Sequence, residues 1–250
     1  MDEHSPLHQF VVTPIVPLHI GGIDVSFTNS SLWMVIGAVC SILLLTLSMR
    51  KPQLVPTRSQ VLVESMYAFI ANMIKENTGT AGMQYFPLIF TVFMVVLMGN
   101  LLGLVPYSFT YTSQLIVTVG LALGIFSLVI VLGIVRHGTH FFSLFLPPGV
   151  PMWLWPLVIP LEIVSFLIRP ITLSVRLFAN MMAGHLMLKV FAGFSVAMIS
   201  MGALGWFGAM FPMLFNTVLT GFELMIALIH AYVFSVLCCL YLKDTVELAH

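Results

Sequence analysis

The 250-residue sequence predicts an all-α integral membrane protein with about five membrane-crossing helices and one interfacial amphipathic helix, the last two crossings forming a long hairpin. Three observations carry this. Hydrophobic residues make up 60% of the chain and charged residues only 7%, and the mean hydropathy is +1.08, far above that of a water-soluble domain. Three uncharged runs are each long enough to span the hydrocarbon. The ionisable residues that do occur at membrane depth gather in the last hundred positions. With nine basic and nine acidic residues there is no basic surface for nucleic acid. Cys40, Cys238 and Cys239 sit inside apolar runs without CxxC or Cys/His spacing, so they read as buried free thiols rather than a disulfide framework or zinc site.

Residues 1–29 form an outer-side polar tail carrying Asp2, Glu3 and Asp24 but no Lys, Arg or apolar core of a signal peptide. Runs 30–49, 84–105 and 113–135 are plain spanning segments. Between the first two, 58–77 places Leu62, Met66, Phe69 and Met73 on one helical face with Gln60, Glu64 and Lys75 elsewhere, the pattern of a helix lying in the interface. Arg50, Lys51 and Arg58 follow the first span, Lys75 precedes the second and Arg136 follows the third. That side therefore faces the cytoplasm or matrix, with the N-terminus outside and the C-terminus inside. Segments 151–192 and 206–243 are each long enough to overrun the hydrocarbon, and Gly202 and Gly205 separate them. Pro156, Pro160 and Pro170 remove backbone donors from the first, so the carbonyls they free must find partners. No internal repeat is evident, which counts against inverted-repeat transporters.

This hairpin holds Glu162, Arg169, Arg176, His185, Lys189, Glu223 and His230, whereas the simple spans hold no charge. A charge at membrane depth costs from about 2.5 to well over 10 kcal/mol, so such residues point to function. At 100° per residue, Glu162, Arg169, Arg176 and Asn180 share an arc of roughly 40° along about 27 Å of helix, with His185 on the opposite side from Arg176. On the second helix Asn216, Glu223, His230, Leu237 and Asp244 recur every seven residues. If the two helices run antiparallel about a turn near residue 203 or 204, residues equidistant from the turn lie at one depth. Glu162 then matches Asp244 near the inner face, Arg176 matches His230 at mid-membrane, and His185 matches Glu223 toward the outer face.

Carboxylates and imidazoles can relay protons, but an arginine cannot give one up. The ladder reads as a proton path in two offset halves. Arg176 between them blocks direct leakage and attracts a carboxylate presented by another subunit. Other readings stand beside this one: Arg169 could snorkel or pair with Glu162, and Lys189 could snorkel to an interface. His137 and His140 read as solvated on the inner loop, and His4, His8 and His19 lie in the tail. A His185/Glu223/His230 metal site is a further alternative. The 17 Met and 20 Phe read as lipid-facing or packing residues.

The run SVRLFANMMAGH (174–185), followed by ELMIALIHAYVFSVLCCLYLKD (223–244), resembles the subunit a family of F-type ATP synthases. GNLLGLV with PYSF at 106–109, HGTHFFSLFLPPGVP at 137–151 and the opening SPLHQF extend the resemblance over essentially the whole chain. His185 together with Glu223 is similar to mitochondrial and alphaproteobacterial members. One departure is His230, where members usually carry Gln. The resemblance implies an energy-transducing membrane and a hairpin strongly tilted along a c-ring, with Arg176 facing the ring carboxylate. It further implies that His185, Asn180 and Glu223 line the outer half-channel, and Glu162 with Asp244 the inner one. Such a chain is not an enzyme on its own, has no P-loop and no cofactor, and works with the c-ring, peripheral-stalk subunit b, other Fo subunits and the lipid bilayer. Two readings from other classes are a proton-coupled secondary transporter and a structural or quinone-binding subunit of a respiratory complex.

Overall fold

The computed structural model describes residues 10–20, 23–105, 108–138, 141, 145 and 151–246. Among these residues six α-helices carry the fold: α1 Asn29–Ser48, α2 Arg58–Thr78, α3 Phe86–Gly103, α4 Leu115–His137, α5 Trp155–Ile199 and α6 Ala203–Val246. Five helical segments among the described residues are long and apolar enough to cross a membrane: those containing α1, α3, α4, α5 and α6. The chain is an all-α integral membrane protein. Close packing divides it into two units, one of Met1–Ser41, Val95–Gln114 and Leu177–His230 and the other of Ile42–Met94, Leu115–Arg176 and Ala231–His250.

The first unit contains the α5–α6 turn. Gly202 has φ +91°, a left-handed conformation that glycine adopts without penalty, and it ends α5 three residues after Ile199. On either side of this turn the helices pair as equidistance from it requires. The rings of Phe191 and Phe215 lie 4.7 Å apart, and Gly184 faces Glu223.

The N-terminal segment is more ordered than a polar tail. Short strands β1 Pro14–Val16 and β4 Phe27–Thr28 pair antiparallel, enclosing a second pair, β2 His19–Ile20 with β3 Ile23–Asp24. Asn29, the first residue of α1, ties this ladder to the helix. Its Oδ1 accepts from the Thr13 and Ser30 amides at 3.2 and 2.9 Å, and its Nδ2 donates to the Val11 carbonyl at 3.1 Å. A strand pattern this short leaves no alternation to read, which is why periodicity passes over it.

In the second unit Thr57 caps α2 by accepting from the Gln60 amide. The buried stripe of α2 is Val63, Ile70, Met73 and Ile74, whereas Leu62 and Phe69 are about half exposed. The covered face is thus rotated by about one residue from the Leu62/Met66/Phe69/Met73 face. α5 runs through Pro160 and Pro170 without a break. Pro170 offers no N–H to the carbonyl of Phe166 four residues earlier, and the Tyr241 hydroxyl of α6 donates to that oxygen instead, at 3.3 Å. Phe166 and Tyr241 are again equidistant from the turn. Cys238 and Cys239 are buried and Cys40 half-buried, all as free thiols.

Candidate functional site

The polar stripe of α6 enters the first unit. Glu223 and His230 are buried there, two helical turns apart, and His185 of α5 is buried with them. On α5 the partner of His230 is Asn180, whose amide Nδ2 donates to Nε2 of the ring at 2.8 Å. Glu223 packs against Gly184. A methyl group at 184 would collide with its carboxyl group, so glycine is the residue that lets an acid lie against the α5 backbone. Neither carboxyl oxygen of Glu223 is hydrogen-bonded among the described residues.

His185, one residue on, turns away from Glu223. Its Nε2 lies 3.1 Å from the hydroxyl of Thr110, in the segment between α3 and α4. Depth matching therefore places Glu223 at the level of Gly184 and His185, but the direct acid–imidazole pair expected from it is not formed. One residue is 100° of azimuth, and depth says nothing of azimuth.

Two further side chains complete the setting. Asn100 of α3 is fully buried, donates to the Ala227 carbonyl at 3.4 Å and leaves its Oδ1 without a protein partner. Asn216 borders two open clefts of the unit. One, of about 860 Å³, is lined by Asn29, Trp33, Thr110, His185, Lys189 and Asn216. The other, of about 560 Å³, runs along Thr217, Thr220 and Leu224. The larger cleft gives His185 and Lys189 access to space bordered by the ordered N-terminal segment. Lys189 is exposed there.

The remaining predicted residues lie in the second unit. Arg176 is exposed and makes no hydrogen bond or ion pair with the described residues. Arg169 is likewise exposed, and Glu162, half-buried, is not paired with it. Asp244 is on α6. His137 is half-buried rather than fully solvated, with its Nε2 enclosed and without a partner. His4, His8 and His140 fall outside the described residues. Among the described residues no three His, Cys, Asp or Glu side chains are grouped to hold a metal ion, so His185, Glu223 and His230 do not form such a cluster.

A single geometry recurs here: titratable groups buried between helices that are apolar enough to cross a membrane, each against an amide, a hydroxyl or a glycine. The family described as ATP synthase A chain matches residues 31–243. The chain belongs to that family. Among its relatives, an ATP synthase subunit a of Rhizobium meliloti is 54% identical over 247 residues, covering 98% of both chains. The subunit a of Parvibaculum lavamentivorans is 51% identical, covering 98% of this chain and 95% of the relative, and that of Mesorhizobium japonicum is 50% identical, covering 100% and 99%.

For this ATP synthase A chain member, sequence reasoning passed over two residues of the site. Asn100 carried a usable signal, because an amide deep in an uncharged run at 84–105 must find a partner or cost energy. Thr110 carried none: it meets His185 across 75 positions of sequence, through a loop without periodicity.

Proposed function

We propose that this chain is the proton-channel stator subunit of an Fo motor, carrying two offset aqueous half-channels that load and unload protons on c-ring carboxylates. As a member of the ATP synthase A chain family it is a non-catalytic membrane subunit that acts with other Fo subunits. One observation carries the finer reading. His185, Glu223 and His230 are buried along membrane-crossing helices, while Arg176, a cation that cannot deprotonate, is exposed and unpartnered among the described residues.

In this reading protons from the outer side reach His185 through the larger cleft and pass to Glu223, whose oxygens are not engaged by the protein. Asn180 and His230 lead toward the ring. The ring carboxylate, neutralised, travels through lipid; on return it meets Arg176, which favours its ionised form, and releases the proton toward Glu162 and Asp244 on the inner side. Arg176 between the two routes prevents direct leakage. The chain supplies no cofactor chemistry, the proton being cargo. The c-ring and peripheral-stalk subunit b are its partners, and an energy-transducing membrane, with the N-terminus outside and the C-terminus on the basic inner side, is its setting.

Replacing Arg176 with Ala in the assembled complex tests this. Proton-driven ATP synthesis in vesicles should be abolished while the catalytic sector still hydrolyses ATP; synthesis at the normal rate would overturn the assignment. Lys is a poor substitute, since it lacks the planar fork and loses its proton more readily when desolvated.

A further inference from the structure

The contact between Thr110 and His185 says more than that two polar groups are near each other. The Thr110 hydroxyl lies 3.3 Å from the carbonyl of Gly103, at the end of α3, as well as 3.1 Å from Nε2 of His185. A carbonyl can only accept, and a hydroxyl has one hydrogen. When that hydrogen goes to Gly103, the hydroxyl can meet the ring only as an acceptor, so Nε2 must be the nitrogen that carries the proton. Nδ1 has no hydrogen-bond partner among the described residues, and His185 lines the larger cleft.

We propose that Thr110 is a positioning residue for proton uptake: its hydroxyl, held by the Gly103 carbonyl, fixes the neutral His185 ring as the Nε2–H tautomer, leaving Nδ1 as the bare nitrogen that takes a proton from the cleft. The same bond survives protonation, since imidazolium still donates through Nε2. The ring can therefore load and unload at Nδ1 without turning over.

The local fold is built to hold Thr110 there. A Cβ on residue 103 would come within 2.5 Å of the Thr110 methyl and 2.6 Å of its hydroxyl, so glycine at 103 is what admits the side chain. Ser108 closes the chain reversal with a hydroxyl whose one hydrogen has the Leu102, Val105 and Gly103 carbonyls within reach, at 2.6, 2.7 and 3.2 Å, and Ser113 donates to the carbonyl of Thr110 itself at 2.6 Å. The hydroxyls of Ser108 and Ser113 thus pin this loop, and a third, that of Thr110, reaches the imidazole.

The inference rests on His185 being part of the proton path, and the experiment separates the two. In the whole complex labelled with ¹⁵N-histidine, the signals missing from a His185→Ala sample identify the His185 ring. At alkaline pH they should report the Nε2–H tautomer in the native protein; a proton on Nδ1 overturns the proposal without any Thr110 variant having to assemble. Thr110→Val, of similar shape, should lose that tautomer preference and slow proton-driven ATP synthesis roughly fivefold, and Thr110→Ser should restore both. A Thr110→Val complex with native tautomer and rate overturns the role of Thr110 alone. A His185→Ala complex that synthesises ATP normally overturns instead the reading of His185 as a relay.

Discussion

The same two helices, α5 and α6, build both units of the molecule, and they bury opposite things in each. Around the turn they enclose His185, Glu223 and His230, with the exposed Asn180 bonded to His230 and with Asn100 of α3 and Thr110 beside them. In the other unit they enclose rings: Phe166 lies 4.9 Å from Phe126, 5.2 Å from Tyr241 and 5.6 Å from Phe145. The buried hydroxyls that α5 and α6 carry in that unit, those of Ser174 and Ser235, donate to carbonyls of their own helices at 2.8 and 2.9 Å. Of the ionisable residues that α5 places there, Arg169 and Arg176 are exposed and Glu162 is half-buried. The helix is not what decides whether a membrane segment can carry a buried titratable group. What decides is the neighbour: an amide or a hydroxyl that satisfies it, or a glycine that makes room, against an aromatic cluster that admits neither. The edge-to-face rings around Phe166 leave little room for a polar side chain beside them.

The sharpest way to break this contrast is to fill the space beside Glu223. Gly184→Ala puts a methyl group where the carboxyl group lies, and overpacking of this kind costs roughly 1–3 kcal/mol, so proton-driven synthesis should drop roughly tenfold or more. Shortening the acid by Glu223→Asp in the Gly184→Ala background should recover part of the rate. A Gly184→Ala complex with unchanged synthesis would show that the close approach of Glu223 to α5 is not used. A methyl group at Gly193, whose surroundings are open, provides the control and should change little.

A smaller effect is expected at His230, and its sign sorts out what that residue does. If the ring serves only to accept the Asn180 amide, His230→Gln keeps an acceptor and should retain most of the synthesis rate, while His230→Leu, which leaves the Asn180 amide unanswered, should lower it roughly threefold to tenfold. Gln and Leu equally poor would mean that His230 itself titrates during transport. Steady-state synthesis rates of the three complexes at matched assembly decide between the two.

How much of this was legible beforehand depends on which coordinate is asked for. Composition and run length gave the spanning helices, because burying apolar residues against lipid leaves few alternatives. Reflection about a turn near residue 203 gave depth: Phe191 meets Phe215, Gly184 meets Glu223 and Phe166 meets Tyr241 as equidistance demands. Azimuth was not legible. His185 and Gly184 differ by one position, and which of them faces α6 is settled by packing along the whole helix rather than by any local pattern. The same shortfall rotated the buried face of α2 from Leu62 and Phe69 to Val63 and Ile70. Thr110 and the paired strands of the N-terminal segment were invisible for another reason: their partners lie far off in sequence or their runs are too short to show a period.

The smallest effect concerns the ring-packed unit and tests whether the Tyr241 hydroxyl bond between α5 and α6 is there for stability alone. Tyr241→Phe keeps the ring and its contacts with Phe166 and Phe126 but removes the donor that answers the Phe166 carbonyl, which Pro170 leaves without its helical partner. Interhelical hydrogen bonds in membranes average about 0.6 kcal/mol, with a maximum near about 1.7, because the separated helices find other partners. A loss of that size should appear as a modest fall in resistance of the purified complex to heat or denaturing detergent, with synthesis rates near normal. Pro170→Ala makes the explanation specific. It returns an N–H to position 170, so that in its background Tyr241→Phe should cost nearly nothing, and the two changes should couple by roughly 0.5 kcal/mol or more in a double-mutant cycle. Purely additive effects would mean that the Phe166 carbonyl never depended on Tyr241. A proton leak in Tyr241→Phe at unchanged stability would mean instead that the hydroxyl belongs to a proton route, and the contrast between titratable groups near the turn and rings around Phe166 would fail on the side of the rings.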